Sequence, residues 1–258
     1  MSTEKEKVQQ QFGQNAAAYA TSTVHAKGAS LGRLVELTQP EPHWQVLDIA
    51  TAAGHTAFAL APHVAHVIAS DITPEMLVVA EKLAAEKGIT NVTFRQADAE
   101  ALPFTDGQFD LVTCRIAPHH FPDIDQFLRE SARVLRPQAI LAVVDNISPD
   151  DKIGANHYNA FEKLRDPSHG RCLSLEEWEQ AFFAAGFDLL HQETDSKKID
   201  FADWVDRMQV TPENKTRLRV MLVQAPAPAL AFLTPHFAGD RIVFSLSEAL
   251  FIGQLRER

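Results

Sequence analysis

The stretch "VLDIATAAGHTA", residues 46–57, decides how this chain folds. Val46, Leu47 and Ile49 give its first four residues the make-up of a buried strand, and Gly54 opens a helix. Between strand and helix lies a turn of the kind that cradles nucleotides. It carries a single glycine, where familiar versions carry two or three because only glycine lets the backbone approach a ligand closely at unusual φ/ψ. What such a turn holds has to be read together with the neighbouring strand ends.

Outward from it, β-rich runs at 45–49, 66–71, 92–97, 109–116 and 139–146 alternate with helical stretches near 54–62, 74–87 and 123–135, and with a further one just after Ala99. Strand then helix, repeated, implies parallel strands joined by crossovers. Thr73, Pro74 and Glu75 supply an N-cap, a first-turn proline and a first-turn acid, and Gly88 closes that helix. In "FPDIDQFLRESARVLRP", residues 121–137, Ile124, Phe127, Leu128, Ala132, Val134 and Leu135 gather mostly on one helical face, and Pro137 is expected to end the helix.

Before this core, residues 4–18 and 28–39 read as two helices of an N-terminal arm spanning 1–39, with Pro40 and Pro42 stopping the second. After it, the remainder of a 40–258 domain changes pattern. "HYNAFEKLRD" (157–166) reads as helix, "SLEEWEQAFFAAGF" (174–187) as a capped amphipathic helix ending at Gly186, and "DLLHQETDSKK" (188–198) as a strand. "RIVFSLSEALFIGQL" (241–255) alternates like a last strand pair or a bulged strand. Residues 200–236, helical and inserted between these terminal strands, are the natural lid.

The composition of this 258-residue chain, 45% hydrophobic, is that of an ordinary globular protein. Thirty-four acidic against twenty-four basic residues give a net charge of -10, which disfavours nucleic acid as a partner. Cys114 and Cys172 lie far apart and belong to no paired ligand or redox spacing, so no metal is expected and a reducing cytoplasm fits best. The polar start "MSTEKEKVQQQFGQ" is unlike a secretory signal, and nowhere do eighteen consecutive apolar residues occur, so no stable membrane insertion is expected.

Ligands of open parallel sheets bind at the carboxyl ends of the strands. The candidates are therefore Asp48 to Gly54 after the first strand, Asp71 after the second, Asp98 after the third, and "RIAPHHF" (115–121) after the fourth. Asp71 stands 17 residues past Gly54, where a carboxylate accepts from both hydroxyls of a ribose. Nicotinamide dehydrogenases and S-adenosylmethionine methyltransferases share that acid. A pyrophosphate needs several free amides at close range and hence several glycines, whereas an adenosyl-methionine has no phosphate and tolerates alanines. The acid after the third strand suits an exocyclic adenine amine. Together these favour the methyl donor over a nicotinamide oxidoreductase. A non-catalytic relative that binds the donor, or nothing, is the remaining alternative.

The segments "VLDIATAAGHTA", "SDITPEMLVVAEKLAAEKGITNVTF", "QADAEALPFTDGQFDLVTCRIAPHHFPDIDQFLRESARVLRP" and "ILAVVDN" resemble, in order and spacing, class I S-adenosylmethionine-dependent methyltransferases of the group related to ubiquinone and menaquinone biosynthesis. They cover roughly 40–150. The departure is in the first motif, where the family usually has glycines at the positions of Ala50 and Ala52. The resemblance implies a Rossmann-like, doubly wound α/β fold: a mostly parallel seven-stranded sheet with an antiparallel last strand. It further implies that Asp48 and the Ala50–Gly54 backbone, Thr51 included, hold the methionine part. Asp71 with Ile72 would take the ribose and one adenine face, Asp98 with the Ala99 backbone the adenine edge, and the backbone at Arg115 or Ile116 the methionine ammonium. Tyr19 and Lys27 would close over the cofactor.

His119 and His120 follow the fourth strand where the methyl should project, and a neutral imidazole is suited to taking a proton from an acceptor. "EKLRDPSHGRCLS", residues 162–174, concentrates Arg165, Asp166, His169 and Arg171 around a proline and a glycine. Such a loop overhangs a cleft, and Arg165, His169 and Arg171 are candidates for gripping an acceptor. The expected partner is a small-molecule methyl acceptor, with a homodimer as one possible assembly. Whether oxygen, nitrogen or carbon is methylated stays open.

Overall fold

The computed structural model describes residues 3–20 and 28–257. Two helices, α1 (Glu4–Ala20) and α2 (Ala29–Thr38), precede the sheet. The alternating core then runs β1 (Gln45–Ile49), α3 (His55–Leu60), β2 (His66–Asp71), α4 (Pro74–Lys87), β3 (Val92–Gln96), β4 (Phe109–Arg115), α5 (Ile124–Val134) and β5 (Leu135–Asn146). It continues through α6 (Lys152–Arg165), α7 (Leu175–Ala184) and β6 (Phe187–Asp200) to α8 (Phe201–Arg207), α9 (Pro212–Val223) and α10 (Ala227–Leu233), and ends with β7 (His236–Ala238) and β8 (Arg241–Leu255).

The strand order is β3-β2-β1-β4-β5-β8-β6. β1 to β5 pair in parallel, β8 is antiparallel to both β5 and β6, and three-residue β7 adds an eighth strand that pairs with β8. The doubly wound, mostly parallel architecture is as the sequence implied, with β7 the one strand beyond seven. Buried side chains gather on both faces, Phe109, Phe127 and Phe251 on one and Leu34, Val67 and Leu111 on the other. A third cluster, around Phe161, Trp204, Leu218, Leu222 and Phe244, ties α6 and the three inserted helices to the long ends of β6 and β8.

Local chemistry explains the boundaries. α4 starts at Pro74 and ends at Gly88, whose φ of 67° no branched side chain would hold without strain. Ser174 and Glu177 form the reciprocal capping box of α7. Two expectations need correction. No helix follows Ala99, where the chain makes only a turn bridged from Asp98 to Ala101; beyond it Arg133 donates to the carbonyls of Leu102 and Phe104, and Glu130 accepts from the Leu102 amide, so that backbone is satisfied without a helix. Nor does Pro137 end α5. The helix stops at Val134, and Arg136 to Ala139 bulge out of register between the Phe109–Leu135 and Leu111–Ile140 pairs, which is where a strand tolerates proline.

Candidate active site

The rim of the sheet is shaped by three residues in left-handed conformation that are not glycine: Ala50 at φ 53°, Ala52 at 47° and Ile116 at 54°. For a β-branched residue such as Ile116 this is a genuine outlier, and strain of this kind persists only where surrounding contacts over-determine it. Here the Thr51 amide donates to the Ser70 carbonyl, the Ala52 amide to Asp71, and the Ile116 amide to the Val144 carbonyl. The backbone is thus pinned from neighbouring strands.

Asp48 is fully used in building this turn. Its buried carboxylate accepts from the hydroxyls of Thr51 (2.5 Å) and Thr113 (2.7 Å). Burial pushes its pKa up to about 6, against those hydroxyls and the charge of Arg115. Gly54 also serves the turn, since a Cβ there would meet the Phe58 ring at 2.5 Å. Neither residue lines the cavity that opens above.

That cavity, about 270 Å³, is walled by Ala50 to Ala53, Asp71 to Thr73, Arg115 to Ala117 and the His119–Phe121 loop. Asp71 ends β2 with its carboxylate buried; Oδ2 accepts from the Ala52 amide (2.9 Å) and Oδ1 from the Thr73 amide (2.8 Å). Burial raises its pKa, and the two amides oppose the rise. Each oxygen keeps a lone pair for a ligand hydroxyl. Arg115 is half-buried and donates to Thr56 (3.1 Å). A smaller cavity adjoins, sharing Ala50, Ile72, His120 and Phe121, and is closed by Asp98, Ala99 and Glu100. Asp98 there is ion-paired with Lys5 of α1 (2.6 Å).

At the far end stand three histidines. His119 Nδ1 lies 2.6 Å from Asp145 Oδ1, and its amide donates to Oδ2 (2.8 Å). That bond assigns the Nδ1 proton and leaves Nε2 as the basic nitrogen. Burial pulls the imidazole down, but the charge and hydrogen bond of Asp145, backed by Glu162 and Asp166, outweigh it and raise the pKa above 6.5. His120 and His169 go the other way. Burial and the charge of His119 push them to about 3 and about 2, so both stay neutral. The 166–172 loop presses on this group: the amides of Gly170 and Arg171 donate to the His119 carbonyl (2.8 and 2.9 Å), and a Cβ on Gly170 would come within 2.9 Å of that oxygen.

Arg165 lines the same cavity, its guanidinium over the Trp204 ring at 4.5 Å and 3.3 Å from Glu162. Arg171 does not; it turns outward to an ion pair with Glu177. The side chain of Tyr19 and the whole of Lys27 lie outside the described residues. The arm residues that reach the site are instead Lys5, Val8 and Phe12, with Gln9 donating to the Ile72 carbonyl (2.9 Å) and Phe12 set edge-on to His120.

A family model described as "Methyltransferase domain" matches residues 40–198. The uncharacterized methyltransferase YcgJ of Bacillus subtilis (strain 168) is 42% identical over 246 residues, 94% of this chain and 96% of the relative. The chain belongs to the methyltransferase domain family. The crystal structure of YcgJ superposes with a TM-score of 0.85 over 89% of this chain and 99% of that one, at 36% identity. The demethylmenaquinone methyltransferase of Thermus thermophilus is 38% identical over 115 residues, 44% of this chain and 52% of the relative.

This methyltransferase carries site residues that sequence reasoning passed over. Asp145, Glu162, Trp204, Lys197 and Glu248 all lie at or beside the cavity. Asp145 had a signal, an acid at the carboxyl end of the fifth strand. Glu162 opened the 162–174 segment without being singled out in it, and the others had no signal, because they come from elements whose packing the sequence does not announce. Among the described residues, no three His, Cys, Asp or Glu side chains are grouped to hold a metal. No described helix of the methyltransferase is long and apolar enough to cross a membrane.

Proposed function

We propose that this methyltransferase moves a methyl group from S-adenosyl-L-methionine to a small-molecule acceptor, and that His119 receives the acceptor's proton. The observation that carries the reading is the content of one cavity: a buried ribose-type carboxylate, Asp71, at one end, and the Asp145-oriented imidazole of His119 at the other. Asp71 is suited to two vicinal hydroxyls. The adjoining small cavity, floored by Ala97 to Glu100, is suited to an adenine, whose exocyclic amine would share Asp98 with Lys5. The rim at Ala50 to Ala53, without a phosphate-type nest of glycines, suits the methionine part of the donor, which carries no phosphate. The donor supplies, when bound, a methyl group already activated on a sulfonium.

What remains for the chain is alignment, exclusion of water and one proton. His119 Nε2 takes it, and Asp145 stabilises the imidazolium that results. Of the three inserted helices proposed as the lid, the first, α8, with the residue that follows it, contributes Trp204, Arg207 and Met208 to the wall. The test is thermal melting of the protein with S-adenosylhomocysteine and, separately, with NADH. Stabilisation by the first alone is expected; stabilisation by NADH alone would overturn the reading. Binding of S-adenosylhomocysteine without methyl transfer to any acceptor would point to the non-catalytic alternative.

A further inference from the structure

The half of the cavity away from Asp71 holds an unsatisfied acid. Glu248 is 5% exposed and lines the cavity, with its Oε2 bound by Lys197 (2.5 Å). Its Oε1 is buried and has no hydrogen-bond partner. A buried carboxylate oxygen left without a donor is costly, and native structures rarely keep one unless a ligand, an ion or an ordered water supplies the missing bond. The cavity wall also holds Trp204, 1% exposed, whose indole N–H is buried without a partner while its ring is stacked on Phe161 (4.7 Å). One orphan acceptor and one orphan donor thus stand on the same wall.

Strand order says which ligand meets them. Asp71 and the Ala50 turn belong to β2 and β1, and Arg115 ends β4. Glu248 is paired with Asn146 across β5 and β8, two strands beyond β4, or roughly 10 Å at ordinary strand spacing. It therefore faces the space left for the acceptor. Two of the neighbouring charges are matched to counter-ions, Lys197 to Glu248 and Arg165 to Glu162. The orphan acceptor and the orphan donor together suit a group that both donates and accepts.

We propose that the methyl acceptor is a hydroxyl-bearing compound whose O–H donates to Glu248 Oε1, making Glu248 a specificity-determining residue for the acceptor. The inference rests on the proposed donor-binding reading of the same cavity. Its test uses protein saturated with S-adenosylhomocysteine and a set of matched small aromatic and aliphatic probes, each hydroxyl compound, catechol among them, set against its methyl ether. Binding is followed by ligand-observed NMR. Hydroxyl members are expected to bind about tenfold or more tighter than their ethers, and Glu248→Gln to remove most of that preference. The variant should bind S-adenosylhomocysteine within about twofold of the parent, which also reports that it folds. Probes that bind as well without a hydroxyl, a preference unchanged in Glu248→Gln, or a hydroxyl set that fails to bind at all would overturn the proposal. So would a variant that loses S-adenosylhomocysteine, because Glu248 would then serve the donor. Failure of the parent to bind S-adenosylhomocysteine is a separate result, and it sinks the donor reading itself.

Discussion

The two ends of the cavity are built on different plans. The end at Asp71 is made of backbone: short loops after β1, β2 and β4, the first and last of them held at positive φ, cross-linked by amides into neighbouring strands. The end at Glu248 is made of side chains: ion pairs and aromatic stacks carried on the long ends of β6 and β8 and on inserted helices. Backbone walls recognise what is common to every reaction of a fold. Side-chain walls can change with little damage to the sheet, and they are where one substrate is told from another.

The sharpest test of this division is His119, at its boundary. His119→Gln should lower kcat by about 10²–10⁴-fold for an acceptor that must lose a proton, with S-adenosylhomocysteine affinity nearly unchanged by calorimetry. Rates should fall as pH drops through the raised pKa of His119, because only the neutral ring accepts a proton. Asp145→Asn removes the charge that raises it, so the acid limb should shift to lower pH as the rate declines. An unmoved limb would show that Asp145 does not tune this ring.

On the backbone side, Asp71→Ala should weaken S-adenosylhomocysteine about 100-fold, the loss of two hydrogen bonds to a charged group. Acceptor probes should lose far less, and equal losses would erase the division between the ends.

Beneath the turn, Asp48 gives a pH signature. Its folded pKa of about 6 lies above the 3.8 of an unperturbed aspartate, so folding favours the protonated form. The associated stability is fully present below pH 3.8 and is lost as pH rises through 6, about 3 kcal/mol in all. Chemical denaturation of Asp48→Asn should lack this contribution, so the gap between parent and variant should change across that window. A constant gap would mean that Asp48 does not titrate there.

The smallest effect concerns strain. Ala50→Gly and Ala52→Gly relieve a left-handed alanine each, and each should raise stability by up to ~1 kcal/mol in denaturant titration, net of the greater freedom glycine gives the unfolded chain. Destabilisation by either would mean that the methyl groups pack favourably enough to offset the strain.

The backbone end was the legible one. The parallel strands, the α4 caps, and Asp71, Ala50 and Arg115 follow from the period of the sequence and the rule that ligands sit at strand ends. Asp98 was legible as a rim acid, but its ion pair with Lys5 was not, since it joins residues 93 apart. Glu248 and Lys197 were hidden for a like reason. Each sits in an alternating strand, where the pattern gives a face but not which residues meet across two neighbours. Arg171 misled because a basic loop beside a cleft looks the same whether its side chain turns in or out. Here Glu177 draws it out, from the capping box of α7.

The first helix has a thermodynamic consequence of its own. Because Val8 and Phe12 line the larger cavity and Lys5 and Val8 the smaller one, whatever fills those cavities also buries the inner side of α1. Docking of the helix and occupancy of the site then strengthen each other by the same factor. A protease that cuts within those first turns would work more slowly on the loaded protein than on the empty one, and the ratio of the two rates would measure how firmly the ligand is held.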